Sequence, residues 1–267
     1  MIWICILVCL CSTLLGAVSG IGGGVIIKPV LDAALPLGMA KVSLISSFAV
    51  FCMSLFSVAR HYLKRVKRDP EAFRLNYAVP LAIGGAFGGA FGKMIFARVS
   101  DQFASDGDMV KCVQNGVLFV LMAAVLVCGF FRRESEKSDS ARSAAGGLPI
   151  GFILGIAAAF LGIGGGPLNM LALTVYYRMP YKKAALYSLF IILCSQGAAI
   201  LTAAFSSDAR EIFDAPFLVA ASAAGVLGGV LGRMLAGRLR ERTVRLLYQG
   251  ALVFIMAMCA YNVVTAL

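Results

Sequence analysis

Charge is scarce in this chain, and the groups that carry most enzyme chemistry are nearly missing. Of 267 residues only 14% are charged, 13 are Asp or Glu, one is His and one is Trp. The acids are absent where they would matter most. No Asp or Glu lies in the apolar runs 42–59, 77–97, 112–131, 184–205, 216–237 or 246–266, and Asp32 comes closest. A proton relay or cation site inside a membrane needs such a carboxylate, so a cation substrate is not expected. An anion that carries its own proton needs none. The eight cysteines form no C-x-x-C pair and no His/Cys metal spacing, so no metal or cofactor is expected and nothing marks an enzyme. Residues 1–18 lack the basic stretch of a signal peptide and read as retained structure, with cleavage after Ala17 or Ser19 as the alternative.

Apolar surface is what the chain has in excess: 60% of residues are hydrophobic and the mean hydropathy is +0.90. Runs of roughly 20 apolar residues match the length a helix needs to cross a bilayer, which makes this an all-α polytopic membrane protein with the lipid bilayer as its surroundings. The net charge of +11 sits in short loops between those runs rather than on one face of a compact domain. It therefore reads as membrane orientation, and nucleic acid is not expected as a partner.

Within that background one pentapeptide occurs twice, as Gly20-Ile21-Gly22-Gly23-Gly24 and as Gly162-Ile163-Gly164-Gly165-Gly166. The repeat extends beyond the glycines. At an offset of 142, Lys41 falls on Lys183, Leu44 on Leu186, Ser46 on Ser188 and Phe48 on Phe190; at 140, Gly85, Gly88, Gly89, Gly92, Met94 and Arg98 fall on Gly225, Gly228, Gly229, Gly232, Met234 and Arg238. Residues 1–131 and 147–267 read as two membrane repeats joined by a charged, Ser-rich cytoplasmic linker, 132–146.

Loop charge sets their relative orientation. The loop 60–74 carries Arg60, Lys64, Arg65, Lys67, Arg68 and Arg74, whereas its counterpart 206–214 has Arg210 alone among Asp208, Glu211 and Asp214. The next pair reverses: 98–111 is acidic in balance, and 238–245 holds Arg238, Arg240, Arg242 and Arg245 against Glu241. Since basic loops stay in the cytoplasm, equivalent loops fall on opposite sides and the repeats are expected to be inverted. Inversion requires an odd number of crossings per half. Three clear spans per half then leave each glycine segment as a helix hairpin folded at its glycines. The first arm of the first hairpin, residues 2–19, is about 27 Å of helix and long for something that turns back.

Paired breaks at matching positions of two halves point to a transporter's binding site. Glycine accepts the bend and leaves backbone N–H groups within a ligand's reach. A short helix follows each run, and its first turn offers unpaired N–H groups and a positive dipole end, which suits an anion. The candidate substrate-binding residues are therefore Gly22, Gly23, Gly24, Gly164, Gly165 and Gly166. Lys28 joins them as a cation in an apolar segment, with snorkelling to an interface as its competing role. Its counterpart is Met170, beside Asn169, which is also a candidate. On the first clear span Ser43, Ser47, Ser54 and Ser57 share a face with Val50; Ser47, Ser54 and Gln196, the counterpart of Ser54, are candidates for lining a path. The stripes Gly84, Gly85, Gly88, Gly89, Gly92 and Gly225, Gly228, Gly229, Gly232 recur at helical spacing and read as helix packing. Cys52 and Cys194 are equivalent at the offset of 142, which admits a rival reading as a membrane thiol–disulfide electron carrier.

The paired glycine hairpins, Pro29 and Leu31 after the first, the Lys41/Ser43-Leu44 start of the next helix and four segments per half resemble the TauE/SafE family of sulfite and organosulfonate exporters. The resemblance covers nearly the whole chain. It implies a bacterial inner-membrane secondary transporter moving a small sulfur-containing or related organic anion by alternating access. The second repeat has Pro167 directly after its glycines and Leu171 where the first has Pro29, so the two turns are expected to differ in build.

Overall fold

The computed structural model describes residues 1–35, 39–65, 78–102, 107–130, 146–160, 165–205 and 213–266. Among them the chain forms ten α-helices and no strand: α1 (Ile2–Ser19), α2 (Gly24–Ala34), α3 (Met39–Arg65), α4 (Ala78–Gln102), α5 (Gly107–Phe130), α6 (Gly147–Phe160), α7 (Gly166–Leu171), α8 (Tyr181–Ala204), α9 (Ala215–Arg238) and α10 (Glu241–Ala266). A π-helical turn, Ala172–Tyr176, continues α7. Helices satisfy their own backbone polar groups, as an apolar solvent demands. Five of them, α1, α3, α8, α9 and α10, contain stretches long and apolar enough to cross a bilayer, and α4, α5 and α6 hold shorter ones. The chain is an all-α polytopic membrane protein.

The six expected spans are α3, α4, α5, α8, α9 and α10, each somewhat longer than its apolar run. Both glycine runs are followed by a short helix, beginning at Gly24 and at Gly166. The two hairpins have unequal arms. The first joins an unbroken 18-residue helix to one of 11 residues, whereas the second joins 14 residues to six plus the π turn. The long first arm is thus accommodated by an α2 that returns along only part of α1. The linker 132–145 and the loop stretches 66–74 and 206–212 lie outside the described residues.

Packing follows the glycine stripes. A Cβ at Gly84, Gly88 or Gly92 of α4 would strike the α6 backbone at Leu148, Phe152 and Ile156 in turn. On α9, Gly225 and Gly229 lie against Ala49 and Met53 of α3, while Gly228 and Gly232 lie against Thr13 and Leu14 of α1. Small residues let these backbones touch, the role expected for both stripes. Exchanging α1–α5 for α6–α10 maps the main pairs on one another: α4 meets α6 as α9 meets α1, α9 meets α3 as α4 meets α8, and α3 with α8 and α5 with α10 pair across the middle.

The same contacts fix direction. Residue numbers rise together along α4 and α6, and along α9 and α3, so each pair is parallel. The carboxylate of Glu241 accepts the Lys182 N–H, at 3.1 and 3.3 Å from its two oxygens. That bond brings the starts of α8 and α10 together, at the end where α9 finishes. Continuing the α3/α9 register sets Arg238 level with Tyr62. Arg60 and the basic residues 238–245 therefore share one end of the bundle.

Candidate functional site

The first turn is built by three left-handed glycines. Gly20 (φ 80°) ends α1 and donates its N–H to the Gly16 carbonyl at 2.8 Å; Gly22 (φ 89°) and Gly23 (φ 67°) then reverse the chain. Any other residue would pay about 1–2 kcal/mol for that conformation. The reversed segment lies on α1 itself, since a Cβ on Gly23 would stand 2.7 Å from the Ser12 carbonyl oxygen. One expected donor is not open. The Gly24 N–H bonds to the Gly22 carbonyl at 2.7 Å, and Ile26 and Ile27 both donate to the Gly23 carbonyl at 3.0 Å.

The turn is clasped by the other half of the chain. Ser188 on α8 donates its hydroxyl to the Gly20 carbonyl at 2.7 Å. A Cβ on Gly20 would meet the Met170 sulfur at 2.8 Å, and one on Gly22 would meet the Ile192 side chain at 2.7 Å. The two turns also touch directly, because the space a Gly166 side chain would need is filled by the Ile21 carbonyl. Two segments 145 residues apart, Ile21 and Gly166, thus pack backbone to backbone at the junction of the halves.

The second turn uses different parts. Gly165 (φ 77°) precedes α7, Pro167 occupies its first turn where no N–H is needed, and the Asn169 N–H returns to the Gly165 carbonyl at 2.8 Å. Asn169 is buried with its amide beside Gly165. Tyr248 of α10 donates to the Pro167 carbonyl at 3.2 Å and packs its ring on Tyr181 at the start of α8. Gly164 lies outside the described residues.

The remaining candidates divide between these neighbourhoods. Gly24 and Lys28, one turn apart on α2, are half-buried, whereas Val25, Ile26 and Ile27 between them are buried. They mark the accessible side of the first turn, and the counterpart of Lys28, Met170, is wholly buried. Ser46 and Val50 of α3 lie against Gly24. Ser47 and Ser54 are buried further along α3, and Gln196 is half-buried on α8. Ser57 bonds instead to the Gly229 carbonyl at 3.4 Å, tying α3 to α9. Cys52 is half-buried and Cys194 exposed, both as free thiols. A different pair is close: Cys5 and Cys9, one turn apart on α1, are buried with sulfurs 4.0 Å apart.

Ser188 and Tyr248 gain importance that sequence alone did not give them. Ser188 was visible only as the partner of Ser46 in the repeat. For Tyr248 no local signal exists, because its bond joins residues 81 apart. Arg233 was open to detection as a lone charge within an apolar run.

The family model for sulfite exporter TauE/SafE matches residues 5–259. The chain belongs to this family. Its curated relative "Probable membrane transporter protein YunE" of Bacillus subtilis (strain 168) is 23% identical over 269 residues, covering 92% of this chain and 93% of that protein. No solved structure matches the chain. Family and helix content together make it a multi-pass membrane transporter.

Proposed function

We propose that the chain is a bacterial inner-membrane permease that moves a small anion, a sulfur oxyanion or organosulfonate such as sulfite, by alternating access around the two glycine turns. The observation that carries this reading is the backbone contact between the turns at the junction of the halves, Gly166 against Ile21. A ligand held there touches both halves, so a change in how they pack alters its access to either side. Lys28 supplies the positive charge, backbone N–H groups of the glycine turns supply donors, and Asn169 supplies a neutral amide. An anion desolvated at this depth needs such partners.

Alternating access follows most simply if the repeats are inverted. Two observations support that arrangement. Helix α3 runs with α9, and α9 finishes where α8 and α10 begin, so the equivalent helices α3 and α8 point opposite ways. Arg60, near the end of α3, and the basic residues 238–245 also lie at one end, as a cytoplasmic face requires.

The test is a flux screen of purified protein in liposomes against sulfite, thiosulfate, sulfoacetate and simple carboxylates. Saturable movement of at least one sulfur anion is expected. Movement of carboxylates alone, or of none of these, would remove the sulfur-anion reading.

A further inference from the structure

Arg233 sits inside α9, five residues short of the helix end at Arg238, or about 7 Å along the axis. It is half-buried. Among the described residues no carboxylate or other acceptor engages its guanidinium. A cation so placed within a membrane helix is costly and marks a functional site until shown otherwise.

Its surroundings are polar in one direction. Gly225 and Gly229 lie on the α9 row that touches Ala49 and Met53 of α3, and Arg233 is the next member of that row, level with Ser57. One turn nearer the middle, the Ser54 hydroxyl is completely buried and has no hydrogen-bond partner among the described residues. One turn further, Val50 and then Ser46 touch Gly24 of the first glycine turn. The row from Val50 to Ser57 covers about 10 Å of helix. It leads from the end that carries Arg60 and residues 238–245 to the glycine turns. A buried hydroxyl and a half-buried cation, neither with a partner among the described residues, both raise the free energy of the protein, and a small anion between them would satisfy both. The sequence repeats the cation, since Lys93 follows Gly92 as Arg233 follows Gly232.

We propose that Arg233, with Ser54, forms a second anion station beside the α3/α9 interface, occupied by the substrate on its way between the basic end and the glycine turns. The station rests on the anion reading above and adds a residue and a side to it. An Arg that merely snorkels to the headgroups would serve insertion and not affinity.

The test is sulfite flux through protein reconstituted in liposomes, measured separately from the basic end and from the opposite end. Arg233→Gln should raise the apparent KM from the basic end about tenfold or more, the range expected for losing a charged hydrogen-bond partner, with kcat from the basic end and the opposite-side KM little changed and kcat from the opposite end lowered in proportion, as reversibility requires. Arg233→Lys should recover part of the loss, and Ser54→Ala should raise the same KM by a few-fold. If Arg233→Gln fails to insert, the Lys and Ser54→Ala variants carry the test alone. Equal KM shifts from both sides, a fall in kcat from the basic end at constant KM, or unchanged kinetics would overturn the station. Wild-type protein that moves none of sulfite, thiosulfate and sulfoacetate from either side would overturn the underlying anion reading, an outcome distinct from the others because there the wild type still transports.

Discussion

The two glycine turns share five letters of sequence and, at Gly23 and Gly165, a left-handed glycine before a short helix, but among the described residues they differ in that helix and in what holds them. The first turn bends through three left-handed glycines, is clasped by Ser188 from the opposite half and opens at Gly24 and Lys28. The second enters a six-residue helix through Pro167, is pinned by Tyr248 and is buried from Gly165 to Met170. On the proposed reading, such a difference suits a duplicated site that binds one asymmetric occupant: one turn would offer charge and access, the other a fixed wall. It also explains why the cation is not duplicated. A second lysine in place of buried Met170 would add a charge with no route to solvent, at the cost a desolvated ammonium carries.

Several substitutions rank this contrast. Gly166→Ala should have the largest effect, because its Cβ would occupy the place of the Ile21 carbonyl and the turns would have to separate. A loss of about 3 kcal/mol or more in detergent unfolding, together with loss of transport, is expected. Stability near wild type would mean that the turns do not touch. Gly23→Val comes next: strain at φ 67° and contact with the Ser12 carbonyl should destabilise by about 2–3 kcal/mol and abolish flux while the protein still inserts. Wild-type flux would return that glycine to plain packing.

Smaller changes separate the two clasps. Ser188→Ala removes the bond to Gly20 and Tyr248→Phe removes the bond to Pro167; each should cost about 1 kcal/mol. Their kinetic effects should differ. Loosening the first turn should alter substrate affinity, because that turn carries Lys28, whereas loosening the wall should mainly alter turnover. Identical changes in KM and kcat would erase the distinction. Gly24→Ala should be nearly silent in stability, since Gly24 has no left-handed φ and its Cβ would stand 3.2 Å from the movable Ser46 hydroxyl. A large loss there would place Gly24 closer to the ligand than its fit implies.

Much of this architecture was legible beforehand because its signals are local and periodic. Apolar runs announced α3, α4, α5, α8, α9 and α10, glycines at helical spacing announced that α4 and α9 pack closely on neighbours without naming them, and the pentapeptide announced a glycine break in each half. What stayed hidden depends on residues far apart in the chain. The hydroxyl of Ser188 meets Gly20 across 168 residues, and no periodicity encodes that. The π turn after α7 was equally invisible, as its widening depends on how Tyr177 and Met179 bond back to Ala172 and Leu173. The donor count was overestimated for a related reason: unpaired N–H groups at a helix start are a general rule, whereas the bond from Gly24 back to Gly22 is particular to this turn.

The central claim, that the first turn holds the anion through its cation, is tested most directly by the apparent affinity of Lys28→Gln for the transported anion in liposomes. The account predicts a loss of roughly 10- to 100-fold, the cost of removing a charged hydrogen-bond partner, with normal insertion and at most partial rescue by Lys28→Arg. Unchanged affinity in Lys28→Gln would contradict it and leave Lys28 outside the site.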